Sequence, residues 1–177
     1  DYFYTKNNLT VYNTFFNDEF IEYNVNKYDF VICCHTLEHI DKPILFLQNL
    51  KKILNKNGCL FLEVPNDNLD LIELCKTYSK QVNYIEPHLY YFTSDTLKNA
   101  FKISGYKDII VNGFQVYSYE NYLNIINNSF NLPKNTSEIS LYKDYGKKSD
   151  VEKKWYQNRI KNLTCDTIYI LYDNLKS

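Results

Sequence analysis

The segment Tyr28–His35 constrains the fold of this chain more than any other part of the sequence. Its centre, Phe30–Cys34, is an unbroken apolar run of strand length. Such a run is typical of a strand that is buried on both faces, as in the middle of a parallel sheet. A strand of this kind needs other elements above and below it, so the segment predicts a layered α/β fold.

Strand and helix patterns alternate along the rest of the chain. Strands are predicted at Leu9–Phe16, Tyr28–His35, Cys59–Val64, Lys107–Val111 and Asp166–Tyr172. Helices are predicted at Pro43–Asn55, Asp67–Lys80, Ser94–Ser104 and Val151–Lys161. This alternation favours one mostly parallel sheet with helices on both faces. The last strand follows no long regular crossover, so it is a candidate for antiparallel pairing.

Two of the predicted helices carry end signals. The helix that begins at Pro43 has Asp41 as its expected N-cap and Gly58 as its expected left-handed C-cap. The helix that ends before Gly105 has Thr93, or the serine that follows it, as its expected N-cap. These signals fix where the chain turns between the predicted strands.

The length and charge of the chain limit its classes of partner. Its 177 residues suit one domain over 1–177, within which the stretch 121–165 is expected to form an insertion or lid. The chain has 20 Lys and Arg residues against 21 Asp and Glu residues, and Arg159 is its only arginine. We therefore expect no extended phosphate-binding surface and no nucleic-acid partner. No apolar run has membrane-spanning length.

The cysteines favour a reducing compartment. They number five, and Cys33 and Cys34 are adjacent in a predicted strand, where neighbouring side chains point to opposite faces. This is not a disulfide framework, so a cytoplasmic location is expected. No Cys-x-x-Cys or His/Cys spacing is present, and the sequence therefore predicts no metal site.

Four segments together resemble a known family. Lys27–Ile32 and Leu37–Pro43 resemble the fourth strand and the next helix of class I S-adenosylmethionine-dependent methyltransferases, in the subgroup with a Leu-Glu-His signature. Glu63–Asn66 resembles the end of the fifth strand in that subgroup, and His88–Thr93 resembles a later conserved segment. The likeness covers Leu9–Val111. It implies a Rossmann-like fold and S-adenosylmethionine as the cofactor.

The chain departs from this family at the glycine-rich turn that follows the first strand. Its glycines are Gly58, Gly105, Gly113 and Gly146, and none has that context. The resemblance places Asp1 near the end of the family's second strand. It therefore implies an N-terminally truncated class I methyltransferase fold, with the first strand, the glycine turn and the first helix upstream.

The resemblance also implies a set of cofactor contacts. An acidic residue in the position of Asp1 binds the ribose hydroxyls, because a carboxylate accepts two hydrogen bonds. One in the position of Asp18 faces the adenine amino group, with an aromatic residue beside the ring. The alternatives are a solvated terminus for Asp1 and a turn that closes a strand for Asp18. The candidate cofactor residues are Asp1, Phe16, Asn17, Asp18, His35 and Thr36.

Three further residues are candidates for catalysis. Methyl transfer from a sulfonium is an in-line displacement, so a base is needed only when the acceptor arrives protonated. His88 falls in a segment that the resemblance places over the acceptor, where it would serve as that base. His39 would do the same, but a structural role at the helix start is the alternative for it and for Glu38.

The leading hypothesis is S-adenosylmethionine-dependent methyl transfer to a small-molecule acceptor of the sugar, lipid-linked or quinone type. The alternative is a non-catalytic Rossmann-like module used for binding or as a scaffold, which would be favoured if no glycine turn precedes Asp1 in the parent chain. A nucleic-acid methyltransferase is disfavoured by the charge balance and by the absence of an Asn-Pro-Pro-aromatic box, because Val64-Pro65-Asn66 is a different motif.

Overall fold

A computed structural model describes residues 3–6, 9–68, 87–127 and 149–174. The strands in these ranges are β1 Phe3–Lys6, β2 Leu9–Tyr12, β3 Tyr28–Cys34, β4 Leu54–Pro65, β5 Val111–Phe114 and β6 Thr167–Asp173. The helices are α1 Asp18–Tyr23, α2 Pro43–Ile53, α3 Ser94–Ile103, α4 Tyr119–Asn127 and α5 Asp150–Asn162, with a 3-10 turn at Leu37–His39. The predicted helix Asp67–Lys80 lies outside the described residues beyond its first two positions. Among the described helices, none is long and apolar enough to cross a membrane.

Within the described residues, the main sheet has four strands in the order β3-β4-β6-β5. β3 and β4 are parallel, and β6 is antiparallel to both β4 and β5. Three of the four strands therefore run in one direction, and the last strand of the chain is the reversed one. This arrangement confirms the α/β, Rossmann-like class and the antiparallel last strand.

The first predicted strand does not belong to this sheet. β2 is half the predicted length and pairs with β1 in a separate two-stranded antiparallel sheet. The strand stops at Tyr12, and Asn17 then caps α1 by accepting a hydrogen bond from the N–H of Phe20 at 3.0 Å. Local composition indicated a strand correctly, but pairing partners that lie elsewhere in the chain decide which sheet a strand joins.

The expectation that Tyr28–His35 is buried on both faces is wrong for the described structure. β3 is an edge strand, and no other described strand pairs with its free side. Phe30 is 52% exposed and Ile32 is 64% exposed, whereas Cys33 on the opposite face is 7% exposed. An apolar run indicates that a segment forms a strand, but it does not show how many other strands pair with it.

The junction between α2 and β4 also differs from the prediction. α2 ends at Ile53, and the chain enters β4 directly through Leu54 in extended conformation. Gly58 therefore lies inside β4 instead of ending the helix. A Cβ atom on Gly58 would lie 2.9 Å from the Tyr28 carbonyl oxygen, so the glycine permits the close approach of β3. At the other end of α2, the N-cap is Lys42 and not Asp41.

The third predicted strand is displaced along the chain. The structure places β5 at Val111–Phe114 instead of Lys107–Val111. Asp108 has a φ of 51°, a left-handed conformation that does not fit a strand. The helix before it agrees with its prediction, because Thr93 forms a capping box at the start of α3, and Gly105 follows its end with a φ of 86°.

The core lies on one face of the sheet. Alternate residues of β4 and β6 are fully buried there, and α2 and α3 contribute side chains from the same side. The Tyr106 hydroxyl donates to the Leu47 carbonyl at 2.8 Å and ties the end of α3 to α2. Fully buried members are Leu47, Leu60, Leu62, Val64, Leu97, Phe101, Ile168 and Ile170.

A buried polar network lies where β5 ends and β6 begins. Asp166 accepts hydrogen bonds from the backbone N–H groups of Val116 at 2.8 Å and Tyr117 at 2.9 Å, and from the Gln115 side chain at 2.7 Å. The Gln115 oxygen in turn accepts from Arg159 of α5 at 2.9 Å. Burial raises the pKa of Asp166, and the backbone donors and Arg159 oppose this rise. The network joins β5, β6 and α5.

Candidate active site

The segment 87–92 lies across the carboxyl ends of β3 and β4. The backbone N–H groups of Leu89 and Tyr90 donate to the Glu38 carbonyl oxygen at 2.8 and 3.1 Å. The Tyr90 hydroxyl donates to the Asp41 carbonyl at 3.1 Å, and Phe92 forms a parallel bridge with Asn66 after β4. Because parallel strands end at one edge of a sheet, these contacts bring His88 to the edge where α/β proteins bind ligands.

All three histidines of the chain meet at Glu38. The Oε1 atom of Glu38 lies 3.6 Å from Nδ1 of His35 and 3.8 Å from Nε2 of His39. The rings of His39 and His88 are 4.8 Å apart at 63°. One ligand atom each of Glu38, His39 and His88 lies within 4.8 Å of the other two. We call Glu38, His39 and His88 the Glu38 cluster.

Glu38 is an unusual member of this cluster because it is deeply buried. Glu38 is 1% exposed, and neither of its carboxylate oxygens accepts a hydrogen bond. A buried carboxylate without hydrogen bonds is unfavourable by several kcal/mol or more, and proteins retain one where it is paired with a charge or binds an ion. Glu38 therefore marks the centre of a polar site, although sequence considerations also allowed a capping role.

His35 has a strained backbone conformation and contacts two carboxylates. It follows β3 with a φ of 46°, in the left-handed region that non-glycine residues rarely adopt. Its Nε2 atom lies 2.9 Å from Oε1 of Glu63, on β4. The neighbouring Glu38 carboxylate is the main influence that raises the pKa of His35, burial opposes it, and Glu63 adds to the rise.

The other two histidines have different surroundings. The Nδ1 atom of His39 lies 3.3 Å from the Pro87 carbonyl oxygen. A carbonyl only accepts, so this contact places the proton on Nδ1 and leaves the Nε2 lone pair of a neutral ring toward Glu38. Burial lowers the pKa of His88; His39 and His35 also lower it, and Glu38 opposes them.

The candidate cofactor residues fall into two groups. Phe16, with ring contacts to Phe20 and Phe46, lines an open groove of about 380 Å³. Asn17 caps α1, and Asp18 is exposed in its first turn. The other lining residues are Thr10, Val11, Tyr12, Thr14, Phe15 and Phe20.

The second group lies beside the Glu38 cluster at the end of β3. It consists of His35 and Thr36, and the Thr36 hydroxyl donates to the Cys34 carbonyl at 3.0 Å. The ninth predicted site residue, Asp1, lies outside the described residues.

Two groups at the site were not singled out from the sequence. Glu63 contacts His35 because β3 and β4 are in register, with Cys34 opposite Glu63. A charged residue in the otherwise apolar strand Cys59–Val64 was the signal that could have identified it. The Pro87 carbonyl, which orients His39, has no sequence signal, because backbone contacts between distant segments leave no pattern of side chains.

The fold described above is that of class I S-adenosylmethionine-dependent methyltransferases. A SAM dependent methyltransferase from Archaeoglobus fulgidus superposes with a TM-score of 0.51 at 20% identity, over 88% of this chain and 63% of that one. The profile of a methyltransferase domain family matches residues 5–110. The chain therefore belongs to this methyltransferase domain family.

A curated relative matches a shorter part of the chain. The tRNA U34 carboxymethyltransferase of Campylobacter jejuni is 34% identical over 89 residues, which are 48% of this chain and 29% of that protein. The matched part of the chain thus spans under a third of the relative's length.

Proposed function

We propose that the protein transfers a methyl group from S-adenosylmethionine to a protonated nucleophile on a small molecule, of the sugar, lipid-linked or quinone type. The observation that carries this proposal is the Glu38 cluster, which brings a buried carboxylate and two imidazoles to the ligand-binding edge of a methyltransferase fold. A site for proton removal is expected where the acceptor arrives protonated.

The groove beside Phe16 supports the binding of an adenine ring. The groove is open and lined largely by aromatic and small polar side chains. The exposed Asp18 lies in the chain midway between two of the lining residues, Phe16 and Phe20. S-adenosylmethionine, when bound, supplies the methyl group as a sulfonium. Phe16 would pack on the adenine, Asp18 would accept from its amino group, and His35 and Thr36 would contact the cofactor at the end of β3.

The Glu38 cluster would act on the acceptor. Bound S-adenosylmethionine would supply the methyl group to the acceptor's lone pair, and the electron pair of the carbon–sulfur bond would stay on sulfur. His88 accepts the proton that the acceptor loses, and the buried Glu38 carboxylate stabilises the positive charge that then develops on the histidines. His39 holds the segment that carries His88 through its contact with Pro87.

A small acceptor is favoured over a nucleic acid by charge. The net charge is −1 and the chain has one arginine, whereas phosphate backbones are bound by several cationic side chains. The test is to incubate the full-length protein with methyl-labelled S-adenosylmethionine and either a small-molecule extract or total tRNA. Label in the small-molecule fraction is expected. Label in tRNA alone would overturn the acceptor class, and binding of the cofactor without any transfer would favour the scaffold alternative.

Asp18→Ala is expected to weaken S-adenosylmethionine binding by about 1–3 kcal/mol, the loss for a hydrogen bond to a charged group. Isothermal calorimetry on the full-length protein measures it. The matched control is Glu19→Ala, which removes the next exposed carboxylate of the same helical turn and should leave the affinity unchanged. Equal affinities for both variants would remove Asp18 from the site.

A further inference from the structure

We propose that the Glu38 cluster binds a divalent transition-metal ion. Its three ligand atoms lie within 4.8 Å of one another, and each comes from a residue type that binds such ions. At metal–ligand distances of about 2.0–2.2 Å, the ligand atoms of a tetrahedral site are about 3.4 Å apart. Small side-chain rotations therefore close the cluster around an ion.

The burial of Glu38 is the first observation that supports an ion. The residue is 1% exposed, and both carboxylate oxygens lack hydrogen bonds. The nearest imidazole nitrogens stand 3.6 and 3.8 Å from Oε1, which is too far for hydrogen bonds. Burial of a carboxylate without a hydrogen bond is unfavourable, and a coordinated cation would compensate it more fully than the half-exposed His35 ring does.

The orientation of His39 is the second observation. Metal-binding histidines donate their other ring N–H to a carbonyl or carboxylate, which fixes the tautomer and directs the lone pair at the ion. His39 has this arrangement, because its Nδ1 atom faces the Pro87 carbonyl at 3.3 Å and its Nε2 atom faces Glu38. The same backbone segment carries His88, so one contact orients one ligand and positions another.

The donor set selects the class of ion. Two imidazoles and one carboxylate suit Zn²⁺, Fe²⁺, Co²⁺ or Ni²⁺. Mg²⁺ and Ca²⁺ prefer sites made of oxygen atoms, and the cluster has a single oxygen-donating side chain. The sequence predicted no metal site because His88 is remote from Glu38 and His39 along the chain, so the three residues have no recognisable spacing.

Binding of the ion also has a consequence for methyl transfer, and this part of the inference rests on the proposed function. The lone pair with which His88 would hold the ion is the one that would accept the acceptor's proton. His88 therefore cannot coordinate the ion and accept a proton at the same time. Saturation with Zn²⁺ is expected to lower the rate of methyl transfer, so the cluster would make the enzyme responsive to free metal.

The test is calorimetric titration of full-length, chelator-stripped protein with Zn²⁺. A Cys34→Ser background removes the exposed thiol of Cys34 as a competing ligand. One equivalent is expected to bind, and Mg²⁺ is not expected to compete. Glu38→Gln, which keeps the shape of the buried side chain, and His88→Ala should each weaken Zn²⁺ binding by about 100-fold or more, because each removes a direct ligand. His35→Ala should weaken it by less than about 10-fold.

The possible results test the metal site and the methyl-transfer reaction separately. Unchanged Zn²⁺ affinity in a folded His88→Ala variant would overturn the proposed ligand set, as would a greater loss in His35→Ala than in His88→Ala. Tighter binding of Mg²⁺ than of Zn²⁺ would overturn the class of ion. Absent Zn²⁺ binding would remove the site and leave methyl transfer intact. Binding with unchanged or faster turnover would keep the site but remove His88 as the base.

Discussion

His88→Ala is expected to lower the turnover of methyl transfer by about 10²–10⁴-fold, while the affinity for S-adenosylmethionine stays nearly intact. The reason is position: the contacts of Leu89 and Tyr90 with the Glu38 carbonyl bring the His88 ring to the end of β3. A proton acceptor acts in the transition state and adds little to cofactor binding. Steady-state kinetics and calorimetry on chelator-treated, full-length protein measure the two quantities.

His39→Ala is the matched comparison for this prediction. His39 belongs to the same cluster, but its Nδ1 atom contacts the Pro87 carbonyl and so helps to hold the segment that carries His88. We expect a lower melting temperature, with activity reduced only in proportion to the folded fraction. A stable His39→Ala variant with turnover down a thousandfold would make His39 the base. A folded His88→Ala variant with normal kinetics would exclude His88 from proton transfer.

Asp166→Ala is expected to lower the free energy of unfolding by about 2–4 kcal/mol, because it leaves the donors of Gln115, Val116 and Tyr117 without their acceptor. The buried Arg159, which is 4% exposed, also loses a nearby negative charge. Chemical denaturation monitored by circular dichroism measures the loss.

Asp95→Ala is the control for this stability prediction. Asp95 is an exposed carboxylate in the first turn of α3, where its interaction with the helix dipole is worth about 0.5 kcal/mol. Similar losses in the two variants would show that the Asp166 network does not stabilise the fold. The measured quantity is the stability of the fold, so this prediction does not depend on the proposed function.

The larger elements could be predicted from the sequence in their correct order, but β1, α1 and α4 were missed and the environment of each element could not be predicted. The capping residue Thr93 and the glycine after α3 are local signals, and the structure confirms both. The edge position of β3 depends on which strands pair with it, and Gly58 serves a close approach to Tyr28 that only the folded sheet creates. Tertiary pairing decides such features, and it leaves no local pattern.

The candidate site shows the same division. His35, Glu38 and His39 are close in sequence at the end of a strand, so their proximity was predictable. Their meeting with His88 depends on backbone hydrogen bonds between two distant segments. The roles of Phe16, Asn17 and Asp18 in cofactor binding and the insertion or lid over 121–165 stay predictions.

The left-handed backbone of His35 implies a trade-off between stability and function. Glycine adopts a φ of 46° without the steric cost that a side chain brings, so a lineage selected for stability alone would gain by replacing this histidine. Such a replacement would also remove the ring that lies between Glu38 and Glu63. Among homologues that keep the fold but no longer use this edge of the sheet as an active site, glycine should therefore be frequent at the position of His35.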